Sequence, residues 1–162
     1  MIRQILSFLA GFAVFLFLPI SSTAQQSQAY VKGVNEVVTL PSSTLNEDRT
    51  ILIHHPAIDS ANPNKAYQVL YLLDGESHFN LLSQYADYLS RWDVDVIPEL
   101  IIVGIVNTKR ARDLTPSESI FNYYGKPDTT TGSYIRPSGG NGKFLQFIKE
   151  ELMPYVESHY KT

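Results

Sequence analysis

Five consecutive residues, Asp74-Gly75-Glu76-Ser77-His78, gather two carboxylates, a hydroxyl and an imidazole around one glycine. Several chemistries could be built from them. Asp74, Glu76 and His78 all carry metal-ligating atoms, but no second cluster of such residues completes a set. Ser77 and His78 have the residue types of a nucleophile and its base. Chain neighbours are poorly placed to meet in that way, and a serine here suits the capping of a helix start. The third possibility uses no side chain. Glycine lets backbone approach backbone closely, and N–H groups where a strand turns into a helix can face a developing negative charge, helped by the positive potential of the helix N-terminus. A plain structural turn is the alternative.

Other reactive residue types are scattered more thinly. His54 and His55 are adjacent in a strand-like run, so they point to opposite faces and cannot ligate one metal together. Arg110 and Asp113 fall in KRARDLTP, where Asp113 reads as an ion-pairing or loop-bracing residue. Ser133 follows Gly132 and Ser138 precedes Gly139-Gly140, yet the pattern G-x-S-x-G occurs nowhere. VGIVNT offers no phosphate-binding glycines, so no nucleotide cofactor is expected.

The elements that must position these groups can be read from hydrophobic period. Residues 35–40 read as a strand ended by Pro41, and 49–55 alternate in the strand manner up to Pro56, so the two should form an antiparallel hairpin. Residues 58–65 are rich in turn formers. Strand 68–73 is apolar throughout, the pattern of a strand covered on both faces. Phe79, Leu82, Tyr85, Ala86, Leu89 and Trp92 recur at steps of three and four, which predicts one helical face started by Ser77. LIIVGIV at 100–106 is a second apolar strand. Strand, helix and apolar strand make a βαβ unit with parallel pairing. A long polar connection, 107–142, follows, and a loop of that length in a compact domain usually has a function. In the last element, 141–160, Phe144, Phe147, Ile148, Leu152, Tyr155 and Val156 share a face, and Pro154 should kink or split the helix.

The first residues stand apart. Arg3, an apolar run from Ile5 to Ile20 and the small-residue exit Ser22-Thr23-Ala24 have the layout of a secretory signal peptide over 1–24, cleaved after Ala24. An uncleaved membrane anchor is the alternative. With no cysteine there can be no disulfide, so residues 25–162 need an apolar core, and burial of about two thirds of the unfolded surface is within reach of a chain this size. Hydrophobic residues at 44% exclude a disordered chain. A net charge of −3 without a Lys/Arg stripe argues against nucleic acid as a partner.

The order LPSST, RTILIHHP, YQVLYLLDGESHF, IPELIIVGIVNT, KRARDLTP and SGGNGKFLQFIKEELMPYVESHYKT resembles the N-terminal half of the Putative esterase family, the esterase D and enterochelin-esterase-like branch of the α/β hydrolases. The resemblance spans nearly all of residues 25–162. It implies an α/β chain with a partial α/β-hydrolase fold, in which an N-terminal antiparallel hairpin is followed by parallel strands with flanking helices. It also implies that Gly75 and Glu76 lie in the oxyanion loop with a backbone N–H as donor, and that Arg110 faces the substrate cleft. In that family the helix matching 141–160 leads into a strand ending in G-x-S-x-G, with an acid and a histidine later.

None of these three is found here. The expectation is therefore the N-terminal portion of a hydrolase domain over 25–162, truncated before the nucleophile elbow, with the C-terminal half of the sheet missing and no activity alone. Such a half-sheet should expose an edge and an apolar patch. The implied parent is an exported, secreted or periplasmic, serine-type carboxylic ester hydrolase with no metal or cofactor. Its substrates would be small-molecule or carbohydrate esters: acylated or feruloylated sugars, siderophore esters or small thioesters. The alternative is a secreted non-catalytic α/β domain that binds a carbohydrate or a partner through Tyr123, Tyr124 and Tyr134.

Overall fold

The computed structural model describes residues 33–57, 62–122, 124–128, 130, 133 and 135–162. The chain divides into two units, 1–30 and 31–162, and the described residues belong to the second. The signal-peptide expectation for 1–24 lies outside them.

Alternation along 47–56 gives an inward parity of Arg49, Ile51 and Ile53. Strand β1 (Gly33–Ser42) pairs antiparallel with β2 (Glu47–Pro56), from Gly33 opposite Pro56 to Ser42 opposite Glu47. Asn46 turns the hairpin at φ 54°, a left-handed conformation that asparagine tolerates. Glu151 closes over this turn. It accepts hydrogen bonds from Ser43 Oγ at 2.7 Å and from the Thr44 N–H and Oγ1 at 3.0 and 2.9 Å.

Strand β3 (Gln68–Leu72), helix α1 (Gly75–Leu89) and strand β4 (Leu100–Ile105) form the expected βαβ unit, with β3 and β4 parallel from Gln68 opposite Leu100 to Leu72 opposite Gly104. β2 pairs antiparallel with β4, so the four-stranded mixed sheet runs β1-β2-β4-β3. The fold is α/β, with the hairpin and the parallel unit that the sequence implied.

Side chains alternate across the sheet, and each parity finds its own helix. Ile51, Ile53, Ile101, Val103 and Ile105 pack with Phe144, Phe147, Leu152 and Val156 of the C-terminal helix. The opposite parity of β4 presents Gly104 to Gly75 and Phe79 of α1. His54 and His55 divide in the same way. His54 faces Asn35 and Asp87 of α1, while His55 meets Glu36 and the Tyr160 ring.

The structure corrects four readings. β3 is covered on one face among the described residues: Val69 and Tyr71 pack on the core, while Leu70 on the other face is 40% exposed, and β4 is its one neighbour in the described sheet. Apolar composition reports what a strand can bury, not which neighbours it has. α1 begins at Gly75 with Asp74 as its N-cap, so Ser77 lies inside the first turn and caps nothing. Trp92 falls beyond the end of α1 and is 89% exposed. The connection 107–142 is not structureless, because it holds a short helix, α2 (Arg110–Leu114), and a bridge between Phe121 and Pro127.

Pro154, expected to kink or split the helix, is instead preceded by a π-helical turn. Helix α3 (Asn141–Phe147) passes through a π-helical turn, Ile148–Leu152, into α4 (Met153–His159). Proline has no N–H and its ring crowds the carbonyl four residues back; one wide turn accommodates both without breaking the helix. The face named from period is the one buried. Replacing Phe147, wholly enclosed in this core, with alanine should lower unfolding free energy by about 3–5 kcal/mol. Leu145→Ala, on the exposed face, should change it by less than about 0.5 kcal/mol in the same urea titration. Among the described residues no helix is long and apolar enough to cross a membrane.

Candidate active site

In an open α/β sheet, ligands meet the carboxyl ends of parallel strands. Here those ends are Leu72 and Ile105, and the loops leaving them lie side by side. The first carries Asp74, Gly75 and Glu76; the second carries Asn107 and leads into α2.

Gly75 is seated by packing rather than by an unusual dihedral. A Cβ on it would stand 2.9 Å from Gly104 C and 2.9 Å from Ile105 N, both backbone atoms of β4. Gly104 is equally constrained, since its Cβ would meet the Phe79 ring at 2.8 Å. Two glycines thus bring the start of α1 against the central strand. The corner itself is made by Asp74, which takes φ 54° and ψ 43° without a side-chain cap bond. Such a conformation in a residue with a Cβ is maintained by its surroundings.

Those surroundings are visible. Asp74 Oδ1 accepts from Asn107 Nδ2 at 2.6 Å and Arg110 Nε at 2.7 Å, and Oδ2 accepts from the same guanidinium at 3.1 Å. Glu76 is tied to the same asparagine: Oε1 accepts from Asn107 Nδ2 at 2.6 Å and Oε2 from the Asn107 N–H at 3.1 Å. The Arg110 guanidinium, ahead of the Asn107 amide, holds the Asp74 carboxyl below its usual range. For Glu76, partial burial works upward, and hydrogen bonds from the Asn107 side chain and from backbone N–H groups outweigh it, so that carboxyl too is lowered.

The N–H groups of Ser77 and His78 both donate to the Asp74 carbonyl, at 3.0 and 3.2 Å. The N–H groups of Gly75 and Glu76 precede these bonds and are the first-turn donors that the helix itself does not use. They sit at the positive end of α1. Chemically, the arrangement can stabilise an oxyanion with backbone donors held rigidly from below by β4 and from the side by Asn107 and Arg110.

A charged layer supports the second loop. Asp113 is buried and accepts from Arg49 Nη1 at 2.7 Å and Arg112 Nε at 2.7 Å, the ion-pairing part that its sequence context suggested. Glu47 accepts from Arg112 at 2.6 Å, Arg49 at 2.9 Å and Thr108 Oγ1 at 2.7 Å. The Arg112 pairing, foremost, pulls the Glu47 carboxyl down to about 2. A depressed folded-state pKa contributes stability that is present above the unfolded value and lost as pH falls through the folded one. Stability should therefore decline as pH drops from about 4.5 to about 2, and Glu47→Gln should flatten that slope in urea titrations over the same window.

Of the residues singled out from sequence, Asp74, Gly75, Glu76 and Arg110 are brought together. Ser77 is exposed, and Ser133 Oγ donates to the Asp128 carboxylate. Ser138 accepts the Ser119 N–H at 2.8 Å. Ser158 Oγ lies 2.9 Å from His159 Nδ1, but both turn to the Tyr155 carbonyl, an ordinary helix-end arrangement. Tyr123 and Tyr134 lie outside the described residues; Tyr124 is exposed. Sequence reasoning missed Asn107 and Arg49. Arg49 had a signal: it shares the parity of Ile51 and Ile53.

A strand-to-helix corner on an α/β sheet is a place where an oxyanion loop can be built. Comparison with known proteins makes the assignment. Residues 42–162 match the Putative esterase family, and the chain belongs to that family. It is 30% identical over 144 residues to the ferri-bacillibactin esterase BesA of Bacillus subtilis, covering 80% of this chain and 48% of that protein. Among solved structures it is similar to an IroE-like serine hydrolase from Shewanella oneidensis, with 37% identity and a TM-score of 0.69 over 80% of this chain and 40% of that one. It is also similar to the BES protein from Bacillus cereus, with 26% identity and a TM-score of 0.62 over 78% and 49% of the two chains. The chain spans about half the length of BesA and 30% of the apo-salmochelin esterase of Escherichia coli, to which it is 29% identical over 101 residues. Both of these curated relatives are named as esterases.

Proposed function

We propose that residues 74–76 supply the oxyanion-stabilising donors of an exported serine-type carboxylic ester hydrolase. The observation that carries this reading is the seating of Gly75 on the β4 backbone, with Asp74 and Glu76 clamped by Asn107 and Arg110. A serine oxygen adds to the ester carbonyl, and the tetrahedral oxyanion is held by the Gly75 or Glu76 N–H together with the N–H after the nucleophile. Residues 25–162 carry the oxyanion half of this machinery. The nucleophile, acid and histidine belong to the remainder of a domain about twice as long, on strands that continue the sheet from β3. Two features support that division: β3 has a free apolar edge among the described residues, and the relatives are about twice the length of this chain. On this reading residues 25–162 by themselves turn over no ester.

A siderophore ester is the favoured substrate class, since the relatives are named for ferri-bacillibactin and apo-salmochelin. Residues 1–24 act as the export signal, cleaved after Ala24. The product of the natural gene is expected to release p-nitrophenol from a short-chain p-nitrophenyl ester and to begin at Gln25 when recovered outside the cytoplasm. Absence of ester turnover by that product would remove the reading; an N-terminus at Met1 would remove export alone.

A further inference from the structure

Arg49 is a fully buried guanidinium on β2, a strand that makes no hydrogen bond of its own to residues 74–76 among those described. Its contacts are specific. Nη2 donates to the Val106 carbonyl at 3.0 Å and Nη1 to Thr108 Oγ1 at 2.8 Å, so it grips the residues on either side of Asn107. Nη1 also donates to Asp113 Oδ2 at 2.7 Å, one turn along α2 from Arg110. The Phe144 and Phe147 rings of α3 back the guanidinium, with centroids at 5.3 and 5.7 Å. Asp113 adds a further tie, because its carbonyl accepts from Asn141 Nδ2 at 3.2 Å at the start of α3.

Asn107 and Arg110 are the two side chains that hold the Asp74 carboxylate. One buried cation therefore locates both. A cluster serving only stability has no need to be ionic, since apolar residues of similar volume commonly replace a buried ion pair without loss. What an ionic hub adds is direction: each donor fixes one acceptor at one angle.

We propose that the Arg49–Asp113 pair is a positioning device for the oxyanion loop, setting Asn107 and Arg110 so that they clamp Asp74 and present the Gly75 and Glu76 N–H groups. It rests on the reading of 74–76 as that loop, and neither residue touches the reacting atoms.

The test uses the natural gene product and the double variant Arg49→Met/Asp113→Leu, whose side chains fill similar volume without charge. Hydrogen exchange is read by NMR at the hydrogen-bonded amides of His78 and Asn107 and at Arg110 Nε–H, beside the amides of Ile102 and Val103 in β4. The expected result is a cooperatively melting variant in which exchange at the three loop sites rises at least about tenfold while β4 is unchanged, as local opening allows. Unchanged loop exchange, or a uniform rise that includes β4, would overturn the proposal. Should the double variant not fold, the near-isosteric Asp113→Asn is read in the same way and by the same criteria. Ester turnover is measured in parallel. Loop exchange that rises with turnover unaltered would leave the positioning device standing and reject the oxyanion reading.

Discussion

Asp113→Ala is expected to lower the free energy of unfolding by about 3–5 kcal/mol, the usual result of removing one partner from a buried ion pair. Asp113 and Arg49 are both wholly buried, and the carboxylate answers two guanidinium groups at 2.7 Å each. Without it, Arg49 retains a charge that water cannot reach, on a side chain whose Nε already has no hydrogen-bond partner among the described residues. Glu47 still accepts from Arg49 Nη1 at 2.9 Å, but that carboxylate is shared with Arg112 and Thr108 and so replaces only part of what Asp113 supplies. A domain's whole stability is on the order of 5–15 kcal/mol, so this one change should leave the fold marginal. Asp113→Asn keeps the shape and one acceptor oxygen, and should cost less. The check is a urea titration with the slope held common. A loss below about 1 kcal/mol in Asp113→Ala would mean that water enters the cluster.

Gly75→Val should act on both stability and chemistry. Its Cβ is placed 2.9 Å from two backbone atoms of β4, and backbone in a central strand has nowhere to go. α1 must lift away from the sheet, and overpacking of this kind typically costs about 1–3 kcal/mol. The lifted helix carries its first N–H groups with it. Loss of one oxyanion donor lowers turnover about 100- to 1,000-fold, so kcat should fall by that order even in molecules that remain folded. Gly142→Ala is the control: nothing lies within 4 Å of its Cβ position, and a helical site there should gain slightly from the substitution. Equal behaviour of the two variants would show that glycine at 75 serves no close approach.

How much of this was legible beforehand can be judged residue by residue. The hairpin, the βαβ unit and the buried face of α3 and α4 follow from hydrophobic period, because period reports which side of an element is covered. The corner at Asp74-Gly75 was visible as an abrupt end to an apolar run. Its need for glycine was legible only as a type, since the atom that forbids a side chain is Gly104 of another strand. β3 read as doubly covered because apolar composition cannot distinguish an edge from a centre. Ser77 was a plausible cap by residue type, yet the chain turned three residues earlier, where Asn107 and Arg110 hold Asp74 in a left-handed conformation.

Asn107 and Arg49 were missed for one reason. Asn107 acts on residues 31 and 33 positions upstream, and Arg49 on one 64 positions downstream. No local pattern encodes such pairings. Arg49 nonetheless carried a clue that strand reasoning can use: a charged residue at an inward parity must find a partner or not be buried at all.

The central claim is that the Gly75 or Glu76 N–H faces a reacting oxygen. Its most direct measurement is the amide spectrum of the natural gene product before and after reaction with a phosphonate ester that traps a serine nucleophile as a tetrahedral adduct. The account requires the amide proton of Gly75 or Glu76 to move downfield and to become protected from exchange on adduct formation, as a charge-assisted hydrogen bond demands. An adduct that forms while both amides stay where they were would contradict it.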